Sequence, residues 1–199
     1  MVDVRMGDRR IYKVEKAYLE MSRAFLGADI HVTKGATGLN NDILLALVSS
    51  NYTFALMAIT AFVSAQLHKK WTLPGSELRS KYSDASSFYD LMRNKLKDLK
   101  SAINELCCQL KIQPVHTKEP NLWRQLNEVL KKTRDFFVHP NPDEFNAFMK
   151  IAGEQNAWAF PSNVASGIIR YFYEQTGANI PDWLQKNVDF KVTKLETFR

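Results

Sequence analysis

Apolar residues recur at intervals of three and four along most of the chain, a spacing that is typical of amphipathic helices. Runs that alternate between apolar and polar residues and end in turn residues are scarce, so nothing in the pattern requires strands. The pattern therefore predicts an all-α protein. A first helix is expected over residues 8–26, with one apolar stripe formed by Ile11, Val14, Tyr18, Met21 and Phe25.

A second helix is expected from Asp42 to about Trp71. Between Ile43 and Leu67 it carries no charged residue, and such a length is sufficient to cross a bilayer. Seven polar residues interrupt the apolar run, namely Ser49, Ser50, Asn51, Thr53, Thr60, Ser64 and Gln66. This composition favours a central helix buried among its neighbours, with a membrane span as the alternative.

A third helical region is expected after the turn at Pro74-Gly75, with Ser76 as its N-cap and a break allowed at residues 83–87. It extends to about Ile112 as a long amphipathic helix, whose apolar stripe is Phe88, Met92, Leu96, Leu99, Ile103, Leu106 and Leu110. The opposite face holds Arg93, Lys95, Lys97, Asp98, Lys100 and Glu105. Such a face is expected to be solvated, and a nucleic-acid track is the alternative.

Three further helices complete the prediction. The fourth covers about 121–138 and buries Leu122, Leu126, Val129, Leu130 and either Phe136 or Phe137. His139 precedes Pro140 and is therefore expected at a helix end or a kink. A fifth helix begins after Asn141 and ends near Gly153, and a sixth covers about 162–175 with Gly177 as its cap. The aromatic residues of the last region are expected in the core or in a dimer contact: Trp158, Phe160, Tyr171, Phe172 and Tyr173.

Length and composition narrow the class of protein. A chain of 199 residues that is 45% hydrophobic can bury one sizeable core, which favours a single domain over 1–199. The net charge of +6 is compatible with RNA or DNA as a partner, and equally with simple solubility. Cys107 and Cys108 are adjacent, which suits neither a disulfide framework nor a CxxC site. The N-terminal residues lack the apolar segment of a secretory signal, so a cytoplasmic location is expected.

One segment contains an arginine, an acid and a histidine, which are side chains that can take part in catalysis: Arg134-Asp135-Phe136-Phe137-Val138-His139. Arginine binds phosphate, and histidine transfers protons near neutral pH. On a regular helix, Asp135 and His139 share a face because they are four residues apart, whereas Arg134 and His139 do not. We therefore expect Asp135 to orient the imidazole, and the break at Pro140 to bring His139 toward Arg134.

The segment RDFFVH resembles the signature of the HEPN superfamily, in which an arginine is followed by a polar residue, three further residues and a histidine, within a small helical bundle. The resemblance covers about 42–152. The first predicted helix and the helical extension over about 153–199 lie outside it. Asp135 stands where Asn is frequent in the family. His31, His68 and His116 have no arginine five residues earlier.

This resemblance implies a metal-independent endoribonuclease without a cofactor, acting as a toxin or an anti-phage, abortive-infection effector. Arg134, Asp135 and His139 would be its active-site residues, and two protomers would form a homodimer with a composite site. The ribose 2′-OH would attack the phosphate and leave a 2′,3′-cyclic end. RNA is the implied substrate, and an antitoxin or a phage-derived protein is a further implied partner. Arg124, Lys131 and Lys132, on the same helix as the motif, are weaker candidates for guiding the RNA backbone.

Other chemistries have no support in the sequence, which contains no Walker or GxGxxG glycine pattern, no HExxH, no spaced zinc ligands and no GxSxG. The alternative function is a non-catalytic helical module that binds RNA or a protein in a toxin–antitoxin or defence system. In that case Arg134 and Asp135 are exposed helix charges, and His139 packs at a helix end.

Overall fold

The computed structural model describes residues 15–23, 39–138 and 159–185, and these ranges contain helices and no strand. The prediction of an all-α protein is therefore confirmed. The helices are α1 (15–23), α2 (Leu39–Thr72), α3 (Glu77–Lys81), α4 (Phe88–Asp90), α5 (Leu99–Leu110), α6 (Val115–Lys118), α7 (Pro120–Arg124), α8 (Lys131–Val138), α9 (Ala159–Thr176) and α10 (Asp182–Gln185). Two π-helical turns, Leu91–Lys95 and Gln125–Leu130, follow α4 and join α7 to α8.

Helix α2 is the centre of the described fold and packs against α5, α8 and α9. It begins three residues before the predicted Asp42 and buries an apolar set at its core, including Tyr52, Ala55, Ile59, Val63 and Leu67. Thr60 donates its hydroxyl hydrogen to the Leu56 carbonyl at 2.9 Å, so the polar group is satisfied within the helix. No helix in the described ranges is long and apolar enough to cross a membrane.

The rotation of α1 differs from the prediction. Met21 was expected on the apolar stripe but is 44% exposed, while Leu19 and Ser22 are fully buried. The Ser22 hydroxyl donates to the side-chain oxygen of Asn51 on α2. Because a buried hydroxyl must keep a hydrogen-bond partner, this contact turns the Ser22 face inward and Met21 outward.

Polar side chains also connect α1 and α9 to the short helix α10. Arg23 donates from Nη1 to the Trp183 carbonyl at 2.7 Å and from Nη2 to Ser166 Oγ at 3.1 Å. Arg170 on α9 donates to the Leu184 carbonyl at 3.0 Å. These bonds satisfy carbonyl groups of the short helix α10, which would otherwise lack partners at its end.

The third helical region is interrupted twice, whereas one long helix was expected after residue 87. Ser76 is its N-cap as predicted, because its Oγ accepts from the Arg79 amide at 3.1 Å. The chain leaves the helix again at Leu96, and Asp98 adopts an extended conformation. Its carboxylate accepts from the Ser101 amide at 2.8 Å and starts α5 as a second N-cap. The apolar spacing continues across this break, which is why periodicity does not reveal it.

Glu105 was predicted on the solvated face but is only 6% exposed. Its carboxylate accepts from Lys81 Nζ at 2.6 Å, from Tyr82 Oη at 2.9 Å and from Gln109 Nε2 at 2.9 Å. Burial opposes ionisation of Glu105, but the bonds from Lys81, Gln109 and Tyr82 outweigh it and lower the pKa of this carboxyl. The tertiary position of α3 therefore decides the environment of Glu105.

The fourth predicted helix is present as α7 and α8, joined by a π-helical turn instead of running as one regular helix, and the sixth is α9. Leu126 and Leu130 are buried, and Leu122 and Val129 are half-buried. Helix α9 ends at Thr176, where Gly177 adopts a left-handed φ of 66° and Ala178 donates its amide to the Tyr173 carbonyl at 3.0 Å. This is the predicted glycine cap. Tyr171 and Phe172 lie in the core, as expected. The side chains of Phe136 and Phe137, the residue Trp158, and the predicted fifth helix lie outside the described residues.

Candidate nucleic-acid interface

A groove with a volume of about 670 Å³ lies where α8 meets α2, α5 and the π-helical turn Leu91–Lys95. Its floor is apolar and its edge is charged. The floor residues are Leu56, Met92, Leu96, Leu99 and Ala102, and the cationic residues at the edge are Arg93, Lys97, Lys131 and Arg134. Asp98 is the one acidic residue among the described lining residues. The balance of charge therefore favours an anionic ligand.

Arg134, the arginine of the RDFFVH segment, reaches this groove from α8. Lys131 is three residues earlier and lines the groove as well, because residues three apart share a helix face. Between them Thr133 is buried, with 5% exposure, and helps to hold α8 against the core. The site arginine is thus on an ordered helix beside a second cation.

Both π-helical turns adjoin the groove. The turn Gln125–Leu130 ends immediately before Lys131, and the turn Leu91–Lys95 contributes Met92 and Arg93 to the lining. A π-helical turn includes one residue more than an α-helical turn, so it shifts the following side chains around the helix axis. Such turns are frequent at functional sites.

Arg134 and Asp135 form an ion pair, with Nη1 of the arginine 3.1 Å from Oδ1 of the aspartate. The two side chains are 36% and 45% exposed, so water screens the attraction. Asp135 was expected to orient His139, and the structure gives it Arg134 as a partner. His139 lies outside the described residues, so its position relative to Arg134 and Asp135 stays a prediction.

Asp98 has two functions in this region, since it caps α5 and also lines the groove. The hydrogen bond from the Ser101 amide lowers the pKa of Asp98, and the positive charge of Lys131 acts in the same direction. The carboxylate is therefore ionised at neutral pH and partly offsets the charge of Lys131. An anionic ligand entering the groove has to compete with it.

The structure separates the weaker RNA-binding candidates. Lys131 lines the groove, whereas Arg124 and Lys132 are exposed outside its lining. The sequence analysis placed Arg93 and Lys97 on a face expected to be solvated. Tyr89 also lines the groove and was not among the sequence candidates. Their four-residue spacings, 89, 93 and 97, were a usable signal, but nothing in the sequence indicated which helix they would oppose.

His68 and His116, the histidines within the described residues, do not line the groove and contact aromatic rings. The ring of His68 meets Phe88 edge-on at a centroid distance of 5.0 Å, and the ring centroids of His116 and Trp123 are 5.8 Å apart.

Cys107 is buried, which raises the pKa of its thiol. Within the described ranges, no group of three or more His, Cys, Asp or Glu side chains is arranged to hold a metal ion.

Comparisons of the chain with protein-family models, with curated proteins and with solved structures found no match. A functional assignment therefore depends on residues 134–139 and on the groove that Arg134 lines.

Proposed function

We propose that this protein is a metal-independent endoribonuclease of HEPN type. The observation that carries the proposal is that Arg134, the arginine of the RDFFVH motif, lines a groove whose other cations are Arg93, Lys97 and Lys131. Four cations around one groove suit a polyanion with closely spaced phosphates. Arg134 is also the residue type that contacts phosphate through two parallel hydrogen bonds.

The proposed reaction is transesterification within the RNA strand. A base removes the proton of the ribose 2′-OH, and the 2′-oxygen then attacks the adjacent phosphorus. The bond from phosphorus to the 5′-oxygen breaks, and an acid protonates that leaving oxygen. His139 would transfer protons, and Arg134 would stabilise the additional charge on the phosphorane. The products are a 2′,3′-cyclic phosphate and a 5′-hydroxyl.

Proton removal and proton delivery occur on opposite sides of the phosphate, so two groups have to share the work. The motif supplies one histidine per chain, and a homodimer in which two motifs face one cleft would supply the second. A toxin or anti-phage effector acting on RNA in the cytoplasm would need a restraint, for which an antitoxin or a phage-derived protein is the proposed partner.

The test is cleavage of a labelled RNA by purified full-length protein in excess EDTA. Wild type is compared with His139→Ala and Arg134→Ala, and with the matched controls His116→Ala and Arg79→Ala, whose side chains are exposed outside the groove. Loss of an acid–base group is expected to slow cleavage by about 100-fold or more, while the controls cut at the wild-type rate. Cleavage that persists in both motif variants, or that requires added metal, contradicts the proposal.

Two further measurements define the chemistry. Mass analysis of the products should give 2′,3′-cyclic phosphate ends, and a 3′-hydroxyl end would contradict attack by the 2′-OH. Light scattering tests the dimer. If wild type binds RNA and never cuts it, the protein is instead the non-catalytic binding module, for which the cationic groove is equally suitable because it does not depend on His139.

A further inference from the structure

Tyr89 presents the most exposed large ring among the described apolar residues, with 70% of its surface accessible, and it lines the cationic groove. An aromatic side chain of this size is normally covered, because its burial is favourable. Exposed aromatic rings beside cations are the usual platform for unpaired nucleobases, since every base has a π-face. Tyr89 therefore offers an accessible ring face at the edge of the groove, which is suited to stacking with a base.

The backbone that carries Tyr89 is held by its surroundings. Ser87 caps α4, with its Oγ accepting from the Asp90 amide at 3.1 Å, and Asp90 in turn accepts from the Ser86 amide at 2.9 Å. Phe88, the neighbour of Tyr89, packs against His68. Because these contacts fix α4, a base that stacks on Tyr89 has to order only the side chain and not the backbone.

Charge is distributed around the ring in a way that suits a nucleotide. The guanidinium carbon of Arg93 lies 6.0 Å from the centroid of Tyr89, which is at the limit of a cation–π contact. Lys95 forms an ion pair with Asp84 and therefore does not contribute a free charge beside the ring. In the described part of the chain, no carboxylate lies within ion-pair distance of Arg93 or Lys97.

The groove therefore combines the three features that an unpaired nucleotide needs. The ring of Tyr89 offers a stacking face, Met92 and Leu96 offer an apolar floor, and cations at the edge are placed for the flanking phosphates. A base in a duplex cannot use the ring, because its faces are already covered by its neighbours.

We infer that Tyr89 and Arg93 form a base-binding subsite that takes an unpaired nucleobase of single-stranded RNA, with Lys97 and Lys131 contacting the adjacent phosphates. The inference rests on the proposed function, since it names the form of RNA that reaches Arg134. It gives the groove a preference for single strands, and this preference does not depend on cleavage.

The experiment measures binding without cleavage. A fluorescein-labelled, fully 2′-O-methylated single-stranded RNA 12-mer cannot undergo 2′-OH attack, so its anisotropy reports binding by wild-type protein. A duplex of the same length is the comparison. We expect the single strand to bind at least about tenfold more tightly, Tyr89→Ala to weaken it about tenfold, and Tyr89→Phe to retain wild-type affinity because the ring remains.

The salt dependence of RNA affinity tests the contribution of the cations. Lys97→Gln should reduce the slope of log affinity against log salt by about 0.7, the value for one phosphate contact on a single strand. Lys100→Gln is the matched control, because Lys100 is exposed nearby and does not line the groove. Circular dichroism melting of Tyr89→Ala confirms folding. A probe with a single 2-aminopurine should lose fluorescence on wild type and on Tyr89→Phe but not on Tyr89→Ala, as a direct sign of stacking.

The outcomes separate the two proposals. If the probe binds with the expected dependence on Tyr89 and no RNA is ever cut, the base-binding subsite stands and the nuclease proposal fails. If RNA is cut and Tyr89→Ala retains wild-type binding, or the duplex binds as tightly as the single strand, the subsite is overturned and the nuclease stands. Absence of any binding to the probe overturns the subsite.

Discussion

Nη1 of Arg134 lies 3.1 Å from Oδ1 of Asp135, the next residue along α8. Neighbouring positions on a helix point about 100° apart, so the pair forms because the long arginine side chain reaches across. The consequence is that the arginine lining the groove is partly neutralised before any ligand arrives. Phosphate binding at Arg134 would have to replace this contact.

Asp135→Asn is therefore expected to strengthen RNA binding about two- to threefold at low salt, because the variant removes a competing negative charge from Arg134. The free energy of unfolding should change by less than about 1 kcal/mol, since exposed ion pairs contribute little. Anisotropy titrations at two salt concentrations measure the affinity. Weaker binding in Asp135→Asn would contradict the competition between Asp135 and phosphate.

Asp98 allows its capping function to be separated from its charge. Asn is as good an N-cap as Asp, so Asp98→Asn should keep the stability of the protein and tighten RNA binding about twofold by removing the charge near Lys131. Asp98→Ala loses the cap as well and should cost about 1 kcal/mol. Urea denaturation of both variants, beside anisotropy, distinguishes the two effects. Equal destabilisation by Asn and Ala would contradict a side-chain cap.

Glu105 is expected to contribute strongly to stability, because its buried carboxylate accepts three hydrogen bonds. Glu105→Ala should lower the free energy of unfolding by about 1–3 kcal/mol. The exposed residue Glu174 provides the control, and Glu174→Ala should remain close to wild type. Urea denaturation at pH 7 measures both.

The lowered pKa of Glu105 also leads us to expect that the protein loses stability in acid. The folded-state pKa of Glu105 is below the ordinary value of 4.5, so its contribution is fully present above that value. The contribution is lost as the pH falls through the lower, folded-state pKa. Glu105→Gln should therefore show a weaker decline in stability below pH 4.5 than wild type. An unchanged acid profile would rule out this role.

Because of Glu15, we expect the protein also to lose stability as the pH rises, which is the opposite dependence. Its side chain is fully buried, and among the described residues neither carboxylate oxygen has a hydrogen-bond partner. Burial raises the pKa of Glu15 from 4.5 to about 8. The folded state thus prefers the protonated acid, and stability present below pH 4.5 is lost as the pH rises toward 8.

Glu15→Gln should remove this dependence and stabilise the protein at pH 8 by up to a few kcal/mol, on the order of the pKa shift converted to free energy. Glu20→Gln is the control, because the side chain of Glu20 is 56% exposed. Thermal melting between pH 5 and pH 8 tests both variants. If Glu15→Gln and wild type lose stability in parallel over this range, Glu15 is not the group responsible.

Much of the fold could be predicted from local pattern. The apolar spacing indicated α2 and α9, Ser76 and Gly177 were identified as caps, and Leu126 and Leu130 as core residues, because each of these signals is contained in a few neighbouring residues. Predictions failed where a distant partner decides the environment. Met21 is exposed since Ser22 bonds to Asn51, and Glu105 is buried since α3 brings Lys81 and Tyr82 to it.

The sequence by itself determined the all-α class and drew attention to Arg134, because helical periodicity and a six-residue motif are both local properties of the chain. Tertiary structure alone decided that Arg134 shares a groove with Arg93 and Lys97 and that Tyr89 stands exposed beside them. Tyr89, Arg93 and Lys97 belong to the segment before α5, which begins at the N-cap Asp98. The face that this segment turns toward α8 depends on how the segment and α8 each pack against α2. Such long-range packing leaves no signature in neighbouring residues.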